Sequence, residues 1–302
     1  MSWVVFAFSG PVLWAVSVHL DKYLVERFFK HSDVAVLLLF TAFIGLLLLP
    51  FIWVFRPEVT APGAAGIALI IASGILLMGA LLLYLRALQT EEASVVAPYF
   101  QAGPLFGYAL AYVVLGETLS GRQMAGGALI LIGALTVSLR FNPDARMFKT
   151  RLAALMLTCG FTMALSGLIF KIFAIEVEFW TTTFWVFVGQ ALFGCGLFSI
   201  PSYRRQLVAA LRDNTAALLS INASNELINL GGSLGNRYAL MFAPLSLVQA
   251  IGSTTTLFVF GFGVILSLLF PKFGREKLSG RELIQKAIAA ALVAAGVALI
   301  TR

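Results

Sequence analysis

Charged side chains are scarce in this sequence. They make up 12% of its 302 residues, about half the share of a soluble globular domain, and a mean hydropathy of +0.95 excludes that class. Histidine is scarcer still, with only His19 and His31. There is no H-E-x-x-H, no paired Cys/His spacing and no Walker loop, so no metal site or cofactor is expected, nor ATP-driven transport by this chain alone. The two cysteines, Cys159 and Cys195, both fall inside apolar runs and make no disulfide framework; they read as small packing residues. Long polar stretches are missing too. No joint between apolar runs exceeds about twenty residues, which leaves no room for a soluble catalytic or sensory domain.

What the sequence has instead is apolar runs of membrane-spanning length, ~20 residues each. Ten are expected, at Ser2 to His19, Val34 to Phe55, Ala64 to Leu85, Ala93 to Leu115, Gly121 to Leu139, Leu152 to Ile175, Phe179 to Ile200, Ala216 to Tyr238, Ala243 to Phe270 and Leu283 to Ile300. The first has no basic residue before it and no convincing cleavage site, so it is expected to be retained rather than removed as a signal peptide. The fold expected is an all-α membrane protein in contact with the lipid bilayer.

The net charge of +7 records topology rather than an anionic partner, and no nucleic acid is expected. Sixteen of the 21 Lys and Arg lie in joints on one side, while Arg56, Arg122, Lys171, Arg237 and Arg302 fall opposite. By the positive-inside rule this places both termini outside.

A repeat organises the chain. After the fourth run stands E-T-L-S-G-R-Q (Glu117 to Gln123), and after the ninth E-K-L-S-G-R-E (Glu276 to Glu282), with five of seven positions identical. Ser120 with Gln123, and Ser279 with Glu282, each spell a capping box for the helix that follows. Glu117 and Glu276 therefore read as structural. At an offset of 152, Ala87 to Val96 aligns with Ala239 to Val248, and the halves divide into residues 1–145 and 146–302. Five runs per half is an odd number, so two halves of one fold must sit inverted, as in secondary transporters.

These features carry a family resemblance. The segment A-L-Q-T-E-E-A-S-V-V-A-P leading into a proline-containing fourth run, followed by G-E-T-L-S-G-R-Q-x-x-G-G and L-I-L-I-G-A-L, resembles the EamA-like members of the drug/metabolite transporter superfamily. The resemblance implies a ten-helix transporter of the cytoplasmic (inner) membrane, with cytoplasmic termini against the count of basic residues. It leaves the solute open among amino acids, sugars, nucleotides, vitamins and drugs, and makes export the expected direction.

The eighth run contains the unusual stretch S-I-N-A-S-N-E-L-I-N-L-G-G (Ser220 to Gly232). On a helical wheel with Asn222 at zero, Asn225 falls at about −60°, Glu226 at +40°, Asn229 at −20°, Ser233 at +20° and Asn236 at −40°. Such a stripe must face protein or water, because lipid leaves polar groups unsatisfied. Gly231 and Gly235 point the other way and suit close helix packing. The matching third run has Gly74 where Glu226 stands, so the stripe is assigned to solute or coupling ion; the alternative is a satisfied polar seam. Two further faces are expected to close a central site. One carries Ser246, Gln249, Ser253 and Thr256 in the ninth run, the other Ser94, Gln101, Tyr108 and Tyr112 in the fourth, with Pro98 beside it. Desolvation of Glu226 disfavours its charged form, which makes it the candidate proton-coupling group. Asp21 is expected to be solvated at the end of its run, and Lys171 to snorkel to a boundary.

The expected activity is therefore secondary transport of a small organic solute, not enzymatic chemistry. A nominal G-x-S-x-G around Ser233 lacks the strand-to-helix turn and any later histidine. A flippase for a lipid-linked substrate and a channel remain open alternatives, as do monomer and homodimer.

Overall fold

The computed structural model describes residues 2–27, 33–56, 58–90, 96, 99, 102–138, 150–269 and 280–301. The described residues are helical and contain no strand. In chain order the α-helices are α1 (Ser2–Arg27), α2 (Val34–Ile44), α3 (Leu49–Phe55), α4 (Gly63–Thr90), α5 (Gly103–Leu115), α6 (Gly121–Ser138), α7 (Thr150–Glu176), α8 (Phe179–Phe198), α9 (Pro201–Leu240), α10 (Leu245–Gly252), α11 (Thr255–Leu269) and α12 (Gly280–Thr301). Seven stretches among the described residues are long and apolar enough to cross a membrane, and Gly103–Leu115 is a shorter apolar helix. The chain is an integral, multi-pass membrane protein. The expected eighth run is helical but falls outside the seven, because its polar stripe lies in a helix of low mean hydropathy.

Helix ends follow local chemistry. Asp33 caps α2, its side chain accepting from Ala35 N at 2.9 Å, while its own N–H donates to Gln206 Oε1 at 2.7 Å and ties α2 to α9. Gly116 closes α5 in the left-handed region (φ 64°), and Glu117 N donates back to Ala111 O at 3.2 Å, the pattern a glycine stop provides. The capping box follows at once, with Ser120 N to Gln123 Oε1 at 2.9 Å and Gln123 N to Ser120 Oγ at 3.3 Å. The second expected box, at Glu276 and Ser279, lies outside the described residues.

Small residues set the packing. Helix α1 lies along α9, where Gly232 meets Leu13 and Trp14 and Gly235 meets Ser9. Helices α6 and α12 approach so closely that a Cβ on Gly126 would stand 2.7 Å from Gly296 O, and one on Gly296 2.6 Å from Gly126 O. Helix α4 packs on both α7 and α8, with Ser166 Oγ donating to Ser73 O at 2.8 Å and the backbone of α8 crossing Gly74. Gly74 is thus required for contact at the position that matches Glu226, which explains why no carboxylate could stand there.

The ninth run is not one helix. It breaks between α10 and α11, where Ser253, Thr254 and Thr255 each turn a hydroxyl onto the carbonyl three residues back, at 2.6, 2.7 and 2.7 Å. Such local bonds compete with helix continuation. In the fourth run, Ala102 immediately before α5 has 3₁₀ geometry.

Candidate functional site

The stripe on α9 faces the interior of the bundle. Asn222, Asn225 and Glu226 are buried, Asn229, Ser233 and Asn236 are half-buried, and Ala223, Ser224 and Leu227 on the far face are exposed. Thr41 of α2 donates its hydroxyl to Glu226 Oε1 at 2.8 Å. Asn225 Nδ2 donates to Asp21 Oδ1 of α1 at 2.6 Å. Asp21 is therefore not a solvated residue at the end of its helix; the close α1–α9 packing draws it into the site.

The network is incomplete. Glu226 Oε2, Asn222 Oδ1 and Asn225 Oδ1 are buried without a hydrogen-bond partner, each leaving a lone pair desolvated at a cost of about 1–3 kcal/mol. Two acidic side chains lie at one junction of α1, α2 and α9, and like charges in a low-dielectric interior recruit a proton or cation. Among the described residues no group of three or more His, Cys, Asp or Glu could hold a metal ion.

The ninth run contributes a separate polar face. Gln249 lies in a slot made by two glycines: a Cβ at Gly107 of α5 would collide with its Oε1, and one at Gly167 of α7 would reach its Nε2 at 3.7 Å. Gln249 Oε1 and Ser246 Oγ are buried and unpartnered. Ser253, by contrast, spends its hydroxyl on Ala250 O. Tyr108 is half-buried and packs on Tyr112 with ring centroids 6.2 Å apart, while Tyr112 is 55% exposed and turns outward. Gln101, Ser94 and Pro98 lie outside the described residues.

Two cations that the charge count places at a membrane boundary are buried. Lys171 does not snorkel: its Nζ forms an ion pair with Glu117 and donates to Ala243 O at 2.6 Å. Glu117 Oε2 also accepts from Leu245 N at 3.2 Å. This pair ties the end of α5 to α7 and to the start of α10, beside a cavity of about 300 Å³ lined by Glu117, Lys171, Ile175 and Met241–Pro244. Arg237, the second, lies near the end of α9 between aromatic rings. A second cavity, about 430 Å³ and almost entirely apolar, opens between α11 and α12. Glu226 lines neither of these two cavities.

Sequence patterns missed two partners and one helix break. Thr41 stands alone in an apolar run and carries no signal. Asp21 shares an i+4 face with Ser17, and Ser17 is itself buried, which marks that face as interior. The helix break is legible in S-T-T-T (Ser253 to Thr256), a run of hydroxyl side chains directly after Gly252.

Residues 1–139 match the model of the EamA-like transporter family, so the resemblance holds over nearly all of the first half. A stretch of 70 residues, 23% of this chain, is 41% identical to an uncharacterized protein of Methanocaldococcus jannaschii. That match spans 50% of the relative's length. A solved crystal structure of a protein 16% identical to this chain superimposes with a TM-score of 0.66 over 99% of this chain and 96% of that one. At that identity the likeness is one of fold.

Proposed function

We propose that this chain, whose residues 1–139 match a transporter family, is a secondary active carrier that exports a small organic solute across the cytoplasmic membrane by alternating access. Coupling is to protons, and Glu226 is the coupling carboxylate. Under this reading ten spans form two inverted halves. Exchanging each span with the one five later turns the α1–α9 pair into the α7–α4 pair and maps α5–α10 and α6–α12 onto themselves. All four pairs are packed in the structure, which supports the inverted arrangement. The break between α10 and α11 supports it further, because interrupted spans line solute sites in such carriers.

The observation that carries the reading is Glu226. Glu226 is 2% exposed; Thr41 donates to one carboxylate oxygen, the Asn229 side chain also bonds the carboxylate, and Oε2 is left without a close partner. A proton on Oε2 removes the buried charge, and its loss restores an acceptor for cargo or for the Asn222 and Asn225 amides. Asp21, held by Asn225, is the neighbouring acid through which occupancy at Glu226 is communicated to α1. Asn222, Asn225, Asn229 and Gln249, with Gln101 and Tyr108, supply hydrogen bonds to the solute, and Ser253 instead holds the helix break. Export follows from the family resemblance.

The test is flux of a metabolite panel in proteoliposomes with and without a pH gradient, comparing wild type with Glu226→Gln. The expected outcome is a solute whose movement is driven by the gradient in wild type and not in the variant. Equal gradient-driven flux in both would reduce Glu226 to a packing residue.

A further inference from the structure

The polar stripe does not end at Asn236. Continuing the wheel one residue puts Arg237 at about +60°, beside the angle of Glu226 and ~16 Å further along the axis. Arg237 is 7% exposed. Its Cζ lies over the Phe170 ring at 5.4 Å and the Phe187 ring at 5.3 Å, and its Nη1 is buried with no hydrogen-bond partner. No carboxylate pairs with it among the described residues. One turn before Phe187 on α8, Thr183 is fully buried and its hydroxyl is likewise unpartnered.

Aromatic faces attract a guanidinium but accept none of its in-plane N–H bonds, and cation–π contact offsets only part of what a buried charge loses on leaving water. Position in the last turn of α9 favours a cation through the helix dipole, yet provides no acceptor either. Lys171 shows how this fold completes a buried cation when the role is structural: a carboxylate and a backbone carbonyl both meet it. Arg237 has neither.

We propose that Arg237 is the anchor for the carboxylate of an amphipathic organic acid, with Phe170 and Phe187 flanking the apolar part and Thr183 donating to the second oxygen. The unsatisfied charge is a single positive one, which a carboxylate balances and a phosphate monoester would exceed. The unpartnered Nη1 leaves the guanidinium a donor for a carboxylate oxygen, the acceptor an arginine fork suits best. This rests on the carrier reading and narrows its cargo to monocarboxylates.

Thermal unfolding of the purified full-length chain in detergent tests it, with hexanoate, 3-phenylpropionate and indole-3-acetate each set against its primary amide. At least one acid is expected to raise the unfolding midpoint where its amide does not. Arg237→Met should weaken that acid's affinity by about tenfold or more, and Arg237→Lys, which keeps the charge without the fork, should fall between. Arg122→Gln, at an exposed arginine, should respond as wild type. Without ligand, Arg237→Met should melt no lower than wild type, since it removes an uncompensated charge. The proposal fails if no acid outperforms its amide, if Arg237→Met responds as wild type, or if that variant melts well below wild type without ligand, the mark of a structural tie. No gradient is present, so a failure of proton coupling at Glu226 leaves this result standing, and binding without coupled flux would refute the coupling alone.

Discussion

Two buried networks in this molecule contain acidic side chains, and they differ in completeness. Around Lys171 each charged group is answered: Glu117 pairs with the ammonium, Ala243 O accepts from it, and Leu245 N donates to Glu117. Around Glu226 the network stays open, with three oxygens unpartnered. The first network joins three helices and meets each of its charges with an opposite charge or a backbone group. The second keeps acceptors in reserve, at a free-energy cost that folding alone gives no reason to bear. Incompleteness, rather than charge or burial, separates the proposed site from the structural one.

That contrast can be broken at three places. Lys171→Met leaves Glu117 unpaired and should destabilise the fold by about 3–5 kcal/mol, read as a fall in thermal midpoint in detergent. Adding Glu117→Gln, which removes the orphaned charge and keeps an acceptor for Leu245 N, should recover most of the loss. Recovery identifies the charge, not the side-chain volume, as the cause.

Thr41→Val tests the open network. It removes the hydroxyl that donates to Glu226 Oε1 and should cost about 1–2 kcal/mol, while altering the dependence of flux on the pH gradient. A stability loss as large as that of Lys171→Met would mean the Glu226 network is structural after all. The smallest effect belongs outside both networks. Ser120→Ala removes the cap of α6 and should cost about 1 kcal/mol with no change in coupling, which sets the baseline for a purely local defect.

Much of the fold is legible in the sequence because membrane helices are written in long local runs. The caps at Ser120 and Gln123, the glycine stop at Gly116 and the interior-facing stripe on α9 follow from spacing alone. Gly231 and Gly235 illustrate the limit of that rule. Both face away from the stripe, yet only Gly235 meets its neighbour, Ser9, closely. Gly231 stays exposed, and a Cβ there would touch only Leu13, at an ordinary 3.5 Å. A wheel places a residue on a face but does not say which neighbour arrives there.

The sequence by itself determined the class of protein, its helical character and the polarity of one face of α9, since each depends on residues within a few turns of one another. Only the tertiary structure decided which charges are answered. Asp21 and Thr41 reach the α9 stripe across 204 and 185 residues of chain, Lys171 finds Glu117 rather than a membrane boundary, and Arg237 is left facing aromatic rings. Those outcomes depend on which helices pack together, because a charge confined to a low-dielectric interior is defined by the partners that surround it, and those partners come from distant parts of the chain.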